Sequence, residues 1–365
     1  MKKLTLSVDV RMINSSGVGV YLKSILPFLV DEYDIILLGN PIDLEHYEWA
    51  GKCKIIKFRS SIYSISEQVK YVVKLPRSDV FWNPHFNSPF FLYKPKKMIS
   101  TIHDVNHLAN RNDFGFVKYL LAKILYKNSI KRSEEIITVS NFSKKEIKRY
   151  LKMNDKKINV IHNAVSSDFN KSVQSRLKLP DKYILFVGNL KPHKNLITLL
   201  KAYNSLENYI KKNFKILIVG KEKGFITSDN ESLYFVKKNN LSENVVFTGY
   251  IEDNQLPHIY GKASLFVFPS YYEGFGLPVL EAMISNVPVI ASDSSSIPEV
   301  GGNAVCYFNP FSSEDLAQKI KLLLFNDEVR TKYIKRGRNR CLAFSWEKVA
   351  EAHKVIFNRV SNNVK

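Results

Sequence analysis

Short apolar segments alternate along this chain with stretches whose apolar residues recur at helical spacing. The apolar segments end at Gly, Pro, Asn, Asp or Ser, as buried strands of parallel sheets do. The stretches between them pair an apolar face with a charged one, which is typical of helices that cover a sheet. The alternation predicts an α/β protein built from parallel sheets.

The predicted strands fall into two series, each of which would form a doubly wound, Rossmann-like unit. Helices alone are predicted for the C-terminal part, at 313–325, 327–343 and 346–359. The first series of strands comprises 4–10, 34–38, 54–58, 80–83, 98–103, 135–140 and 159–162, and the second comprises 183–188, 215–220, 245–249, 265–269 and 288–292.

A polar, aperiodic stretch between the two series predicts the domain boundary. We expect a first domain at 1–165, a linker at 166–181, a second domain at 182–345, and a helix at 346–365 that packs back on the first domain. Two such domains that face each other would form a cleft lined by the carboxyl ends of both sheets, where α/β folds bind ligands.

Composition supports a folded two-domain protein. Of 365 residues, 45% are hydrophobic and 24% are charged, which excludes collagen-like and disordered classes. No apolar run approaches the length of a membrane span, and the amino terminus lacks a secretory signal, so we expect a cytoplasmic protein. Cys53, Cys306 and Cys341 show no disulfide or zinc pattern and are predicted to be packing residues.

The net charge of +20, from 54 basic and 34 acidic residues, would attract nucleic acid, anionic lipid or phosphorylated substrates. No nucleic-acid-binding motif accompanies it, so no nucleic-acid partner is expected. The segment 116–132 combines Lys118, Lys123 and Lys127 with leucines and aromatics and predicts an amphipathic helix. Its apolar side either packs on the first sheet or rests on an anionic membrane surface.

In the first half, three strand-to-helix loops carry candidate chemistry. Gly17 and Gly19 open a predicted helix, where backbone N–H groups can bind an anion or simply form a tight turn. His103 ends a strand and could donate to a substrate hydroxyl, or bond a neighbouring backbone group. Ser140 precedes a predicted capping box of Ser143 and Glu146. The histidines lack metal-ligand spacing, so no metal is expected.

In the second half, the loop that follows strand 183–188 brings Gly188, Lys191 and Lys194 to one sheet edge. Ammonium groups there would neutralise a diphosphate leaving group. The stronger pattern follows strand 265–269, where Glu273 and Glu281 flank a Gly-Phe-Gly-Leu-Pro loop. Its glycines permit close backbone approach to phosphate, and Glu281 could accept two ribose hydroxyls.

These motifs, in this order and nearly from end to end, resemble the retaining glycosyltransferases of family 4, which have the GT-B fold. The resemblance implies catalytic roles for Glu273 beside the donor sugar, His103 near the reacting face and Lys194 at the diphosphate. It also implies an acceptor-binding first domain and a nucleotide-sugar-binding second domain. The donor-binding residues so implied are Gly17, Gly19, Ser140, Gly188, Asn189, Lys194, Gly274, Phe275, Gly276, Leu277 and Glu281.

The sequence departs from the family at Asn189 and His193, where many members carry arginine, so phosphate binding would depend more on Lys191, Lys194 and the loop amides. Since no Asp-x-Asp motif occurs, a metal-independent reaction without a cofactor is expected. The donor would be a GDP- or UDP-sugar, with mannose favoured by the similarity of 192–195 to mannosyltransferases of surface-polysaccharide assembly.

The expected acceptor is a lipid-linked oligosaccharide or polysaccharide precursor, which would place the protein peripherally on the inner face of the cytoplasmic membrane. Two alternatives stay open. The same architecture serves nucleotide-sugar epimerases and phosphorylases, and a basic surface alone would suit a noncatalytic nucleic-acid- or lipid-binding protein.

Overall fold

The computed structural model describes residues 3–91, 94–153, 157–171, 177–220 and 230–362. The chain divides into two compact units, one formed by Met1–Asn163 with Trp346–Lys365 and the other by Ala164–Ser345. Part of the predicted linker, 172–176, lies outside the described residues. The linker prediction missed a short 3-10 turn, Ser167–Asn170, which lies in the second unit.

The first unit contains a parallel sheet with strand order β3-β2-β1-β4-β5-β6-β7. The order reverses at β1, as it does in doubly wound folds, so that β1 pairs with both β2 and β4. Its strands are β1 (Thr5–Asp9), β2 (Asp34–Gly39), β3 (Lys54–Lys57), β4 (Val80–Asn83), β5 (Lys97–Thr101), β6 (Glu135–Thr138) and β7 (Ile158–Val160).

The second unit repeats the plan with the order β10-β9-β8-β11-β12-β13. The two parallel sheets confirm the predicted fold class. The last strand, Cys306–Phe308, was missed because three residues are too short for a periodicity signal. The strands are β8 (Tyr183–Val187), β9 (Lys215–Val219), β10 (Val245–Gly249), β11 (Leu265–Phe268), β12 (Val289–Ser292) and β13 (Cys306–Phe308).

Helices connect most of the strands. They are α1 (Ser16–Ile25), α2 (Ile65–Lys74), α3 (Asn106–Ala109), α4 (Arg111–Phe114), α5 (Phe116–Arg132), α6 (Asn141–Leu151), α7 (Leu196–Asn204), α8 (Asn208–Asn213), α9 (Asn230–Lys238), α10 (Leu256–Lys262), α11 (Leu277–Ile284), α12 (Ile297–Gly301), α13 (Ser313–Phe325), α14 (Asp327–Cys341) and α15 (Trp346–Asn362).

Helix α15 lies against the sheet of the first unit through a fully buried polar contact. The Tyr21 hydroxyl of α1 bonds to Nε2 of His353 in α15. Nδ1 of the same ring donates to the Val349 carbonyl at 2.7 Å, so Nε2 accepts the tyrosine proton. Trp82 and Phe357 pack around the pair. Aromatic burial and one satisfied polar contact thus attach the last helix to the first unit.

Candidate active site

The loops that follow β8, β11 and β12 meet at one edge of the second sheet, because parallel strands present their carboxyl ends together. Backbone and side-chain bonds join the first two loops. The Tyr271 amide donates to the His193 carbonyl at 3.0 Å. The Asn195 amide group donates to the Pro269 carbonyl at 3.1 Å and to the Pro310 carbonyl at 2.8 Å. Residues about 75 positions apart in sequence are thereby held in contact.

An ion pair joins the loop after β8 to the loop after β11. Nζ of Lys194 lies 2.6 Å from Oε1 of Glu273, and the two side chains are only 17% and 13% exposed. The same ammonium group lies 5.4 Å from the centre of the Phe268 ring. Two residues that the sequence assigned separately, one to diphosphate and one to sugar, therefore neutralise each other in this structure.

Two adjacent serines after β12 fix the loop that carries Glu273. The Ser295 hydroxyl accepts from the Glu273 amide at 3.1 Å. The Ser296 hydroxyl donates to the carbonyls of Glu273 and Phe275 at 2.9 and 2.8 Å. These three hydrogen bonds limit the movement of the loop, so Glu273 is presented from a rigid support.

Helix α11 begins directly after this loop. Gly276 precedes it at φ 105°, a backbone conformation that favours glycine, and Pro278 takes the second helical position. Gly274, Phe275 and Gly276 are buried, whereas Leu277 is partly exposed. The helix begins at Leu277, directly after the loop, and a helix amino terminus in this position favours a bound anion.

Glu281 lies on the second turn of α11 and accepts a hydrogen bond from the Tyr260 hydroxyl of α10 at 2.8 Å. Burial raises the pKa of its carboxyl group to about 7, against the lowering effect of the Tyr260 bond. A carboxyl group poised near neutrality is a common feature of binding and catalytic sites. The carboxylate has further acceptor capacity for hydroxyl groups of a ligand.

The loop after β8 approaches the loop after β9 through backbone alone. A Cβ atom on Gly220 would lie 2.0 Å from the Gly188 carbonyl oxygen, so no side chain fits there. Gly188 donates its amide to the Val219 carbonyl at 2.9 Å. The Asn189 carbonyl accepts from the Lys191 amide at 2.9 Å, and the His193 side chain is buried. The predicted diphosphate loop is therefore held by its neighbour.

In the first unit, Gly17 and Gly19 occupy the first turn of α1 and do not form a loop ahead of it, which corrects the predicted helix start. A Cβ atom on Gly19 would lie 2.2 Å from the Ile13 carbonyl oxygen, whereas no heavy atom lies within 4 Å of one on Gly17. Gly19 therefore lets α1 pack against the preceding loop. Gly17 lies in open space at the helix amino terminus, where a ligand could approach.

His103 lies two residues beyond β5, since the predicted strand 98–103 ran past its observed end. Its Nε2 donates to the Pro84 carbonyl at 3.0 Å, and its ring packs edge-on against Tyr21 at 4.9 Å between centres. Burial lowers the pKa of the imidazole. The ring is thus neutral with its lone pair on Nδ1, so it would accept a hydrogen bond from a substrate hydroxyl, where the sequence suggested donation.

Ser140 caps helix α6, which corrects the prediction that Ser143 does so. The Ser140 hydroxyl accepts from the Ser143 amide at 3.0 Å and is fully buried. Ser143 in turn donates its hydroxyl to the His103 carbonyl at 2.8 Å. The serines therefore hold the loops after β5 and β6 together, and a donor-binding role for Ser140 stays a prediction.

Within residues 3–362, apart from the gaps named above, no group of three or more His, Cys, Asp or Glu side chains is arranged to hold a metal ion. Over the same ranges, every helix is too short or too polar to span a bilayer.

Sequence reasoning missed the residues that support this site. Tyr260 sits inside an ordinary amphipathic helix, where nothing in the pattern distinguishes it from a packing residue. From the sequence, Asn195 would be interpreted as a residue at the start of a helix, although its amide group joins two loops. A weak signal did exist for Ser295 and Ser296, because a serine-rich run directly follows a strand.

The fold and these loops define the class: two parallel-sheet Rossmann-like domains form a glycosyltransferase of the GT-B type. A family model described as glycosyl transferases group 1 matches residues 167–340, and one described as glycosyltransferase family 4 matches residues 15–169. The chain belongs to glycosyltransferase family 4, as its sequence resemblance predicted.

The chain is also similar to individual proteins whose activity or structure is known. The chain is 31% identical to O-antigen chain mannosyltransferase B of Escherichia coli over 73% of this chain and 71% of that protein. It is 29% identical to O-antigen chain mannosyltransferase RfbU of Salmonella typhimurium over 71% and 69% of the two chains. The crystal structure of Anabaena HepE in complex with UDP-glucose shares the fold, with 14% identity, 98% and 100% coverage and a TM-score of 0.79.

Proposed function

We propose that this glycosyltransferase moves mannose from a nucleoside diphosphate sugar to a hydroxyl group of a lipid-linked oligosaccharide or polysaccharide precursor, with retention of anomeric configuration and without a metal ion. The observation that carries the proposal is the contact between Lys194 and Glu273 beside the amino terminus of α11. A cation and a carboxylate are in contact next to a helix amino terminus, which is the combination that binding of a nucleotide sugar requires.

The ion pair between Lys194 and Glu273 suggests how the nucleotide sugar binds. A diphosphate that reaches the loop after β8 attracts Lys194 more strongly than one carboxylate does, because it carries more charge. Transfer of the ammonium group to the diphosphate would release Glu273 to accept a hydroxyl of the donor sugar. Lys194 then stabilises the departing diphosphate, and Glu281 accepts ribose hydroxyls.

The proposed mechanism depends on which groups neutralise the leaving diphosphate and which group attacks the sugar. Lys194 and loop amides neutralise the leaving group, so no divalent ion is required for that step, and the sequence contains no Asp-x-Asp pair. In the proposed donor complex Glu273 accepts a hydroxyl of the donor sugar, so we do not assign it as the nucleophile that attacks the anomeric carbon. We therefore favour front-face displacement, in which the leaving phosphate helps to remove the proton of the acceptor hydroxyl.

The choice of sugar and acceptor is supported by relatives. The two mannosyltransferases compared above are named for O-antigen chains, which are surface polysaccharides. This chain, which matches about 70% of each, is proposed to use mannose on a similar acceptor. A glycan precursor anchored on a lipid requires an enzyme that works at the membrane surface.

A docking surface for that membrane is supported by α5. Its bounds, Phe116–Arg132, are those predicted. One side packs inward through Ala122, Leu125, Tyr126 and Ser129, whereas a second apolar side remains exposed. The exposed residues are Phe116, Val117, Leu120, Leu121 and Ile124, at 46–77% of their full surface. The helix carries no acidic residue, so it suits an anionic leaflet.

Helix α2 of the same unit also carries exposed apolar residues. Its Ile65, Val69 and Val73 are exposed by 60–87% and recur every four residues. The segment between the two helices bonds to both: the Phe90 amide donates to Gln68 of α2 at 2.9 Å, and Asn128 of α5 donates to the Pro89 carbonyl at 3.1 Å.

The single carboxylate of α2, Glu67, is turned inward and pairs with Arg11 at 2.6 Å. We name the exposed apolar residues of α2 and α5 the membrane face, and we propose that they rest on anionic lipid.

A donor panel tests the function. GDP-mannose, GDP-fucose, UDP-glucose, UDP-galactose and UDP-N-acetylglucosamine are offered with a mannosylated lipid acceptor, and nucleoside diphosphate release is followed with and without EDTA. We expect acceptor-dependent release from GDP-mannose, unaffected by EDTA, and an α-linked product by NMR. An isomerised nucleotide sugar without diphosphate release would indicate an epimerase, and no turnover of any donor would indicate a binding protein.

A further inference from the structure

The buried hydroxyl group of Tyr260, in the second unit, has no role in the donor mechanism proposed above. Tyr260 is fully buried in α10 and donates to Oε2 of Glu281 at 2.8 Å. From this contact we infer that Tyr260 is a positioning residue: it orients the Glu281 carboxylate for the nucleotide ribose and favours its ionised form. The inference rests on the ribose role of Glu281 in the proposed function.

Two aromatic rings pack against the Tyr260 ring and limit its movement. Phe169, in the 3-10 turn Ser167–Asn170, packs edge-on against it at 5.6 Å between ring centres. Phe266 of β11 lies on another side at 5.4 Å. The Phe169 carbonyl in turn accepts from the Ser285 hydroxyl at the end of α11, at 3.0 Å. The turn, α10 and α11 therefore contact one another, and the Tyr260–Glu281 bond lies between the two helices.

Such support matters because Glu281 bears a free negative charge only if that charge is stabilised. A buried carboxyl group binds a proton more tightly than an exposed one, and a hydrogen bond from a neutral donor opposes this effect. In its protonated form Glu281 would lose acceptor capacity for the two ribose hydroxyls. Removal of the tyrosine hydroxyl should therefore weaken nucleotide binding most at low pH.

Among the described residues, the groups that act on the pKa of Glu281 are Tyr260 and Asp253, and neither is a cation. Asp253, just before α10, is a like charge that raises the pKa of Glu281. In the 3-10 turn, Asp168 pairs with Lys171 at 2.5 Å. In α14, Arg340 donates to the carbonyls of Glu299 and Val300, and the Cys341 thiol donates to the Leu280 carbonyl.

Calorimetric titration with UDP and GDP from pH 5.5 to 8.5 tests the inference. Wild-type affinity should fall as pH drops below about 7. In Tyr260→Phe, we expect this inflection to rise by about one pH unit, which weakens binding about tenfold at pH 6.5 and little at pH 8.5. An unchanged inflection in Tyr260→Phe would overturn the inference.

Two controls separate the possible outcomes. Tyr183→Phe removes a buried hydroxyl that donates to the adjacent Ile259 carbonyl at 2.6 Å and does not contact Glu281, so it should keep the wild-type pH profile. Glu281→Gln should bind the nucleotide weakly at every pH. The diphosphate itself titrates in this range, and the ratio of wild-type affinity to Glu281→Gln affinity at each pH removes that contribution. Wild-type affinity in Glu281→Gln would refute the ribose role, and hence the donor site proposed above.

A second measurement does not depend on any ligand. NMR titration of side-chain-labelled glutamate, with the Glu281 signal assigned from Glu281→Gln, should give an inflection near 7 in the wild type and a higher one in Tyr260→Phe. The same inflection in both proteins would show that the tyrosine does not govern the carboxylate. This result decides the inference even where neither nucleotide binds.

Discussion

The ion pair between Lys194 and Glu273 makes the two residues separable by experiment. Glu273 pairs with Lys194 and would compete with a diphosphate for it, so Glu273→Gln should bind nucleoside diphosphate at least as tightly as the wild type. Turnover should fall by about 100-fold or more, since the carboxylate would meet charge that develops in the transition state. Steady-state kinetics and calorimetry measure the two quantities. Wild-type turnover would remove Glu273 from the reaction.

Lys194→Ala should show the opposite pattern in binding. Loss of a partly buried ammonium group removes a charge-assisted contact worth roughly 1.5 to 3 kcal/mol, so nucleoside diphosphate should bind about 10- to 100-fold more weakly. The corresponding nucleoside should bind nearly as before. Lys191→Ala, in the same loop, is the matched control and should have a smaller effect. Equal losses for nucleoside and diphosphate would place Lys194 outside the phosphate site.

The sequence identified these two residues but not their contact. Glycine, lysine and glutamate at strand ends are visible as patterns, because parallel strands bring such loops to one edge. Their pairing depends on Asn195 and Ser296, whose side chains fix the loops. Neither residue has a sequence signature of that role, since Ser and Asn occur in most strand-to-helix turns.

At the scale of the element, α1 offers two glycines that should respond differently to alanine. In Gly19→Ala the new Cβ would meet the Ile13 carbonyl oxygen at 2.2 Å, and neither backbone can move freely. We expect the free energy of unfolding to fall by about 1 to 3 kcal/mol. Denaturant unfolding at fixed pH measures it.

Gly17→Ala is the control for that change. Its Cβ would find open space, and alanine favours helix over glycine, so stability should stay the same or rise by up to about 1 kcal/mol. Equal destabilisation in both variants would show that α1 does not pack on its loop as described.

Element boundaries also show why local patterns mislead by one or two residues. The predicted strands ran on to His103 and Ser140, yet β5 ends at Thr101 and β6 at Thr138. Apolar alternation continues beyond the last ladder bond, and only the neighbouring strand decides where pairing stops. His103 and Ser140 consequently lie in loops, where their side chains can contact other elements.

At the scale of the whole molecule, buried histidines make stability depend on pH. Burial lowers the pKa of His353 to about 4 and that of His85 to about 3. In the unfolded chain both groups would titrate near 6.5. The unfolded state therefore binds more protons below that value, and stability is lost as pH falls from about 6.5 towards 4.

The size of this effect can be measured on one residue. When pH falls from 7.5 to 5, the titration of His353 alone should reduce the free energy of unfolding by about 2 kcal/mol. In His353→Gln, which keeps a polar side chain near Tyr21, the decline over this range should be shallower, although stability at pH 7.5 is lower. Parallel pH profiles of the two proteins would contradict the assignment.

The membrane face predicts a salt-sensitive interaction with lipid. Vesicles containing anionic lipid should sediment the protein at low salt, and neutral vesicles should bind it weakly, because each basic residue near the surface contributes about 1 kcal/mol. Changing Lys118, Lys123 and Lys127 together to Glu should reduce binding to anionic vesicles at least tenfold. Cosedimentation at low and high salt measures this.

A matched control variant has the same change in net charge but at a different place on the protein. Lys212, Lys237 and Lys238 of the second unit, all exposed, are changed together to Glu, which should affect binding much less. An equal loss in both variants would mean that overall charge, not the membrane face, holds the protein on lipid. No binding of the wild type at low salt would argue for a soluble acceptor.

The sequence by itself determined the two parallel α/β units, the α5 boundaries and the strand-end motifs of family 4, because hydrophobic period, helix-start residues and glycine spacing are local signals. Tertiary structure alone decided that Lys194 contacts Glu273, that Tyr260 holds Glu281, and that α2 and α5 leave apolar sides exposed. These facts depend on which distant residues meet and which surfaces remain uncovered, and local sequence carries no direct record of either.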